Sequence, residues 1–460
     1  MKSFRKYISE ISGLRFIYEN LELNSSAGRK RLLNCQLLTK EFELKVNIQS
    51  LSETYEFVKT KKNKEFVSNI CRTLSQINDI SASISNIQFN RVSDDIELFE
   101  IKKFCINSQR VLDLIKKSGF SLILLHDLSE VIEILDPQNT KIPAFYIYSD
   151  YSPELSDLRK QKDNAKTVEQ AEELRLKCLE IEDKIRKELS KKIAKYVNKL
   201  EYNLNRLADF DILIAKAKIA LKLSLTEPKF TQEITFYHGL FNPQIKSILE
   251  NQNKVFQAID IEIPTFPTLI TGANMSGKSV LLKTVALSQF MFQFGFFVPA
   301  QKAEILPVEE ILLSIGDNQD ELNGLSSFAV EILNINKIIS KAKSSTKILA
   351  LIDEPARTTN PDEGKAIANA IVEILSKLEV SSLICTHYSG INARKKLRVK
   401  GLQNISENEN INIENINDFM DYSLVSVEDE KAPAEAIRIA EILGADKELI
   451  EKARKKINKI

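Results

Sequence analysis

Eight consecutive residues, Gly272-Ala273-Asn274-Met275-Ser276-Gly277-Lys278-Ser279, set two glycines, an ammonium and a hydroxyl at the spacing G-x-x-x-x-G-K-S. That spacing suits a polyphosphate. Glycines let the backbone curl until successive N–H groups point inward at anionic oxygens, and a helix starting at the same point adds its positive end. Lys278 then reaches the terminal phosphates of ATP, and Ser279 offers an oxygen to Mg2+. At a distance of 75 residues (353 − 278), the apolar run Ile348-Leu-Ala-Leu-Ile352 ends in two carboxylates, Asp353 and Glu354. Asp353 suits the Mg2+ ion, and Glu354 suits polarising a water for in-line attack on the γ-phosphorus. A third run, Ser381-Ser-Leu-Ile-Cys385, leads through Thr386 to His387. A histidine at the carboxyl end of a strand in such a sheet sits where ligands bind, and is expected to sense the γ-phosphate. His126 and His238 are read as structural.

These groups need rigid elements to hold them. The phosphate loop lies between a strand-like run, TLIT, and a helical one, VLLKTVALSQFMFQF, the strand–loop–helix context that the motif requires. Beyond a composition shift near Glu227–Pro228, apolar strands alternate with helices, which implies a parallel sheet with crossover helices. The first half is helical, with apolar residues recurring at helical spacing as in Leu98, Ile101, Phe104 and Cys105. Within it, alternation at Phe145 and Ile147 predicts a strand or hairpin. From Leu174 through Cys178, Ile181, Ile185, Leu189 and Ile193 the apolar positions step by three and four. This predicts a long polar helix with one narrow apolar stripe, either a solvated hairpin or a coiled-coil seam. The polar segment 404–418 reads as a surface loop or frayed hairpin, and the tail as two helices broken at Gly444. The expected fold class is α plus α/β: an all-helical domain over 1–230, then a P-loop NTPase domain with a mainly parallel sheet over 231–460.

Bulk properties exclude some alternatives. Five scattered cysteines with no C-x-x-C pair argue against a disulfide framework or a zinc site, and for a reducing, cytoplasmic setting. No run of apolar residues is long enough to span a membrane, and the N-terminal stretch has no apolar core of a signal peptide. The net charge of +1 lends no support to a nucleic-acid partner, although it leaves local patches open.

In the second half these residues resemble the MutS family of ATPases. The family's TGPNMAGKST appears here as TGANMSGKSV, and its Gly-x-Phe-Val-Pro-Ala as Gly295-Phe-Phe-Val298-Pro299-Ala300. Its signature Ser-Thr-Phe-x-x-Glu appears as Ser326-Ser-Phe328-Ala-Val-Glu331, and its Asp-Glu-x-Gly-Arg-Gly-Thr as Asp353-Glu354-Pro-Ala356-Arg357-Thr358-Thr359 with Gly364 beyond. Its Thr-His-Tyr is Thr386-His387-Tyr388. More faintly, Asp150–Arg159 looks like the point where the family's lever domain enters its clamp and Leu207–Ala217 like the lever helix that returns, with a clamp-like helical hairpin at about 155–206.

The resemblance implies a Mg2+–ATP-hydrolysing dimer, formed with a second copy or a related subunit through a C-terminal helical segment. In it Ser326 of one subunit reaches the other's nucleotide, and the levers convert ATP state into movement. Asn242, before Pro243, stands where the family has a histidine near the adenine. The sequence departs from the family in lacking room for mismatch-reading and connector domains and in the reduced clamp. It also has Ala356 and Thr358 in place of two glycines. Two targets follow: DNA, in repair or recombination without mismatch reading, or an adenosylcobalamin-dependent aminomutase such as a lysine aminomutase, reactivated by the ATP stroke as related MutS-like ATPases do. The signature is not the Leu-Ser-Gly-Gly-Gln of transporter ATPases.

Overall fold

The computed structural model describes residues 3–120, 122–273, 276–316, 327–345, 347–402, 419–427, 435–442 and 444–457. The chain does not divide at residue 230. It packs as two compact units that interleave in sequence, one formed by Leu21–Cys35 and Ser50–Ile219, the other by Met1–Asn20, Gln36–Gln49 and Ala220–Ile460.

The first unit is helical. Leu98, Ile101, Phe104 and Cys105 on the helix Asp95–Ser118 are buried in its core, as their spacing requires. The helix starts at a capping box in which Asp94 accepts from the Glu97 N–H and Glu97 accepts from the Asp94 N–H, satisfying two otherwise orphaned donors. Asp211, fully buried, accepts from the N–H of Ser25 (2.7 Å), the Ser25 hydroxyl (2.7 Å) and the N–H of Asn24 (3.1 Å), anchoring the start of the helix Ser26–Asn34.

The stripe on the helix Val168–Ile193 is spent inside the chain: Cys178, Ile181, Ile185, Leu189 and Ile193 belong to this unit's own core. Arg159 on the helix Pro153–Asp163 meets Glu182 at 2.7 Å, fixing the two helices together. The strand expected around Phe145 and Ile147 is absent. Residues 141–148 run as a loop because Lys102, fully buried, draws them in through the Ala144 carbonyl (2.9 Å) and the Tyr148 hydroxyl (2.9 Å), with Asp136 beside it at 3.1 Å. Backbone groups held by a buried ion pair are not offered to a ladder.

Ten strands are seen among the described residues, all in the second unit: β1 Lys229–Phe230, β2 Thr235–Leu240, β3 Ile259–Ile263, β4 Pro267–Thr271, β5 Lys302–Ile305, β6 Glu310–Ser314, β7 Ile348–Asp353, β8 Ser381–Cys385, β9 Lys395–Leu402 and β10 Met420–Ser426. The main sheet has the order β10-β9-β4-β8-β7-β6. All its neighbours run parallel except β10, which is antiparallel to β9 at the edge. A smaller sheet has the order β1-β5-β2-β3. The helices Ser327–Ala342 and Pro361–Lys377 give Ile335, Ile338, Ile371 and Leu375 to the core that covers β7 and β8.

The helix Lys278–Gln293 is buried nearly all round, its polar Thr284, Ser288, Gln289 and Gln293 included. One side faces the sheet. The other is covered by the chain's first helices, Phe4–Glu10 and Ser12–Glu19: Tyr7 packs on Phe290 (4.7 Å between ring centroids), and Gly13 lies so close to Leu287 that a Cβ there would sit 3.0 Å from it. Gln293 then donates to the carbonyls of Leu38 (3.0 Å) and Val308 (2.7 Å), drawing 36–49 into the same unit. The expected tail of two helices is present as Glu435–Ile442 and Lys447–Ile457, and the expected loop 404–418 lies outside the described residues.

Candidate functional site

Register brings the three predicted segments together. Ile270 at the end of β4 pairs with Cys385 at the end of β8, and Cys385 pairs with Asp353 at the end of β7. Two further hydrogen bonds continue this alignment past the strands, Thr386 N–H to the Ile270 carbonyl (3.0 Å) and Glu354 N–H to the Cys385 carbonyl (2.8 Å). The loop after β4, the two carboxylates and His387 therefore emerge at one edge of the sheet, the carboxyl end, where parallel sheets bind ligands.

Gly277 caps the helix that follows at φ +83°, a conformation that strains any other residue. A Cβ there would also lie 3.0 Å from the ring of Tyr422 on β10. Lys278, buried, folds its ammonium back onto the carbonyls of Gly272 (2.8 Å) and Ala273 (2.9 Å), with a Glu354 carboxylate oxygen at 3.8 Å. Asn274 and Met275 lie outside the described residues, as does Ser326.

Asp353 is the electrostatic centre. Burial pushes its carboxyl above the usual range, a Ser279 hydrogen bond opposes this, and the neighbouring Glu354 charge adds to the rise. Its Oδ1 is buried with no hydrogen-bond partner among the described residues, as is the Ser276 hydroxyl. A buried carboxylate oxygen without a donor is costly unless a cation or proton meets it. Glu354 stands beside it at φ +45°, flanked by Lys278, by Arg357 (3.8 Å) and by His387 Nδ1 (3.9 Å). Two cavities meet here. One of about 410 Å³ lies over the loop, lined by Ser276, Lys278, Ser279, Asp353, Glu354 and Arg357. Another of about 210 Å³ continues past Ser279 and Asp353 to Lys283, Glu331 and Asn334. Hydroxyl and carboxylate oxygens of this kind suit a hard divalent cation, and the loop N–H groups with Lys278 suit phosphate oxygens.

Asn242 lines neither of these two cavities. It is buried as the N-cap of the helix Pro243–Asn251, accepting from the Ile245 N–H (3.2 Å) and donating to the Thr284 hydroxyl (3.2 Å). It lines a third cavity, of about 1150 Å³, which shares Lys283, Ile315 and Asn334 with the 210 Å³ one. The remaining histidines are elsewhere: the backbone N–H of His126 donates to Asn203 (2.8 Å), and the exposed His238 pairs with Asp260 (2.9 Å).

For three residues at the site a motif reading of the sequence does not give the placement. Lys283 falls four residues after Ser279, on the same helix face. Glu331 and Tyr388 are visible only as motif letters, because their contact is Ala356. The Ala356 N–H donates to Glu331, and the Tyr388 hydroxyl donates to the Ala356 carbonyl at 3.0 Å. Burial pushes the Glu331 carboxyl up, against the pull of that N–H and of Arg357.

Comparison with known proteins matches residues 268–460 to the family described as MutS domain V. The relatives agree. The Endonuclease MutS2 of Thermus thermophilus is 34% identical over 233 residues, which cover 51% of this chain and 30% of that protein. The DNA mismatch repair protein MutS of Streptococcus suis is 29% identical over 295 residues, 63% of this chain and 34% of that protein. The same-named protein of Petrotoga mobilis is 26% identical over 420 residues, 85% of this chain and 48% of that protein. The chain thus spans about a quarter to a half of the curated relatives it matches. The matched segment holds every described residue of the two cavities, Asp353 and Glu354 included, and His387 beside them.

Proposed function

We propose that this chain binds Mg2+–ATP at the 272–279 loop and hydrolyses it, as a MutS-type ATPase whose stroke acts on DNA. The observation that carries the reading is the buried, partnerless Oδ1 of Asp353 beside Ser279, at the mouth of a cavity floored by Lys278 and a helix N-terminus. Ser279 and Asp353 would hold the Mg2+ ion, which would supply positive charge against the phosphates. Lys278 exchanges the two loop carbonyls for phosphate oxygens. Glu354, between Lys278 and His387, orients the attacking water and takes up its proton. His387, just past β8, meets the γ-phosphate. Ser326 acts from one subunit on the nucleotide of the other, so the working form is a dimer of this chain or a pair with a related subunit.

In this reading the helical part within 1–230, with the 155–206 hairpin, serves as the lever, less the segments 1–20 and 36–49 that pack with the nucleotide unit. The relatives' names, a mismatch repair protein and an endonuclease, support DNA as the target and lend nothing to the aminomutase alternative. The test is Mg2+-dependent ATP turnover by the purified chain with and without duplex, mismatched and branched DNA. Turnover that changes with DNA, and retention of DNA at low salt, supports the reading; turnover indifferent to every DNA, with none retained, refutes the DNA part.

A further inference from the structure

Just past Asp353 the backbone does something that side-chain-bearing residues avoid. Glu354 has φ +45° and Ala356 has φ +59°, both in the left-handed region. Such conformations persist only where the surroundings impose them. Here the surroundings are two side chains from different elements. Glu331, on the helix Ser327–Ala342, accepts from the Ala356 N–H, and Tyr388, directly after His387, donates from its hydroxyl to the Ala356 carbonyl at 3.0 Å. Ala356 itself is fully buried. The chain also keeps room for this grip, since a Cβ on Gly364 would lie 2.2 Å from the Tyr388 hydroxyl oxygen and 2.9 Å from the Ala356 carbonyl oxygen. Neither Glu331 nor Tyr388 lines the cavity over the loop at 272–279.

We infer that Glu331 and Tyr388 are positioning residues for Glu354: by holding both polar ends of residue 356 they keep the turn at 354 left-handed and its carboxylate aimed into the phosphate cavity. The inference rests on the role proposed above for Glu354. It accounts for an alanine at position 356 without glycine's conformational freedom, because the two hydrogen bonds impose what glycine would adopt by itself. Because neither residue lines the cavity over the phosphate loop, losing the grip lowers turnover while nucleotide affinity stays.

The experiment compares Glu331→Ala, Glu331→Gln, Tyr388→Phe and Glu354→Gln in the full chain, measuring ATP turnover and the Kd of a non-hydrolysable ATP analogue with Mg2+. Glu331→Ala is expected to lose about ten- to a hundredfold in kcat, the scale of an ångström-sized misplacement, with the Kd within about twofold. Glu331→Gln keeps an oxygen for the Ala356 N–H and is expected to recover most of that loss. Tyr388→Phe removes one hydroxyl from a half-buried ring and is expected to lower kcat in the same direction. It carries the test alone if Glu331→Ala does not fold. A kcat within twofold of wild type in the folded variants, equal damage from Ala and Gln at 331, or a parallel loss of analogue binding overturns the inference. If Glu354→Gln turns over like wild type, the role of Glu354 fails and this inference with it; a fall in Glu354→Gln without one in the clamp variants overturns the inference alone.

Discussion

Replacing Gly364 by Ala separates two physical accounts by the sign of the result. Gly364 sits in the first turn of the helix Pro361–Lys377 and is buried. Helix propensity alone predicts that alanine stabilises the protein by up to about 1 kcal/mol. The packing predicts the opposite. The new Cβ would meet the Tyr388 hydroxyl oxygen at 2.2 Å, its Cζ at 2.8 Å and the Ala356 carbonyl oxygen at 2.9 Å. The tyrosine must swing away and give up its hydrogen bond to Ala356, worth about 0.5–1.5 kcal/mol. The carbonyl belongs to a fully buried residue and has little room to yield, so overpacking adds about 1–3 kcal/mol. Net destabilisation of about 1–3 kcal/mol remains after the propensity gain, with a fall in turnover as the segment carrying Glu354 is released. Urea unfolding at fixed pH, with turnover measured on the same preparation, reads both. A variant as stable as wild type or more so, with unchanged turnover, would refute the claim that Tyr388 is seated against Gly364.

Lys216 gives a pH signature: burial pulls its ammonium down to about 8, against opposing pulls from Cys35 and Asp209. The unfolded chain therefore holds a proton that the folded chain sheds first. This contribution destabilises most below pH 8 and is relieved as pH rises toward the ordinary lysine value. Lys216→Met should raise stability at pH 7 by at most on the order of 3 kcal/mol and flatten that rise, as urea midpoints at pH 7 and 9.5 would show. Asp353→Asn should stabilise the nucleotide-free protein by about 1 kcal/mol, since a negative charge that burial and the neighbouring Glu354 disfavour is removed. The same variant should abolish the rise in Tm on adding Mg2+–ATP, read by thermal unfolding with and without the pair. Asp211→Ala should cost about 3 kcal/mol or more in urea unfolding, because it strands the buried donors of Ser25 and Asn24.

The site was legible in the sequence where its chemistry is contiguous. Gly272 to Ser279 carries its own strand and helix, and Asp353, Glu354 and His387 each close an apolar run. Parallel register then aligns the ends of β4, β7 and β8 without further information. What the sequence hid depends on partners far along the chain. Glu331 stands out as a motif letter, yet its function lies in the N–H of Ala356. Asn242 followed by Pro243 is the signal of a helix start, an N-cap with proline at the first helical position, and its amide is used there. The loop at 141–148 alternates like a strand, but Lys102 lies on a distant helix and takes its backbone groups. The interleaving of the units was hidden for the same reason. Aromatic residues such as Phe4 and Tyr7 show that a helix is covered without showing by what, and the answer, Phe294 and Phe290, comes nearly 300 residues later.

The central claim, that Glu354 activates water against an ATP held by Lys278, Ser279 and Asp353, is tested most directly by single-turnover hydrolysis of Mg2+–ATP. The purified chain and its Glu354→Gln variant are compared, with nucleotide binding measured in parallel. The account predicts binding equal to wild type and hydrolysis lower by about a hundredfold or more. Hydrolysis at the wild-type rate, or loss of binding together with hydrolysis, would contradict it.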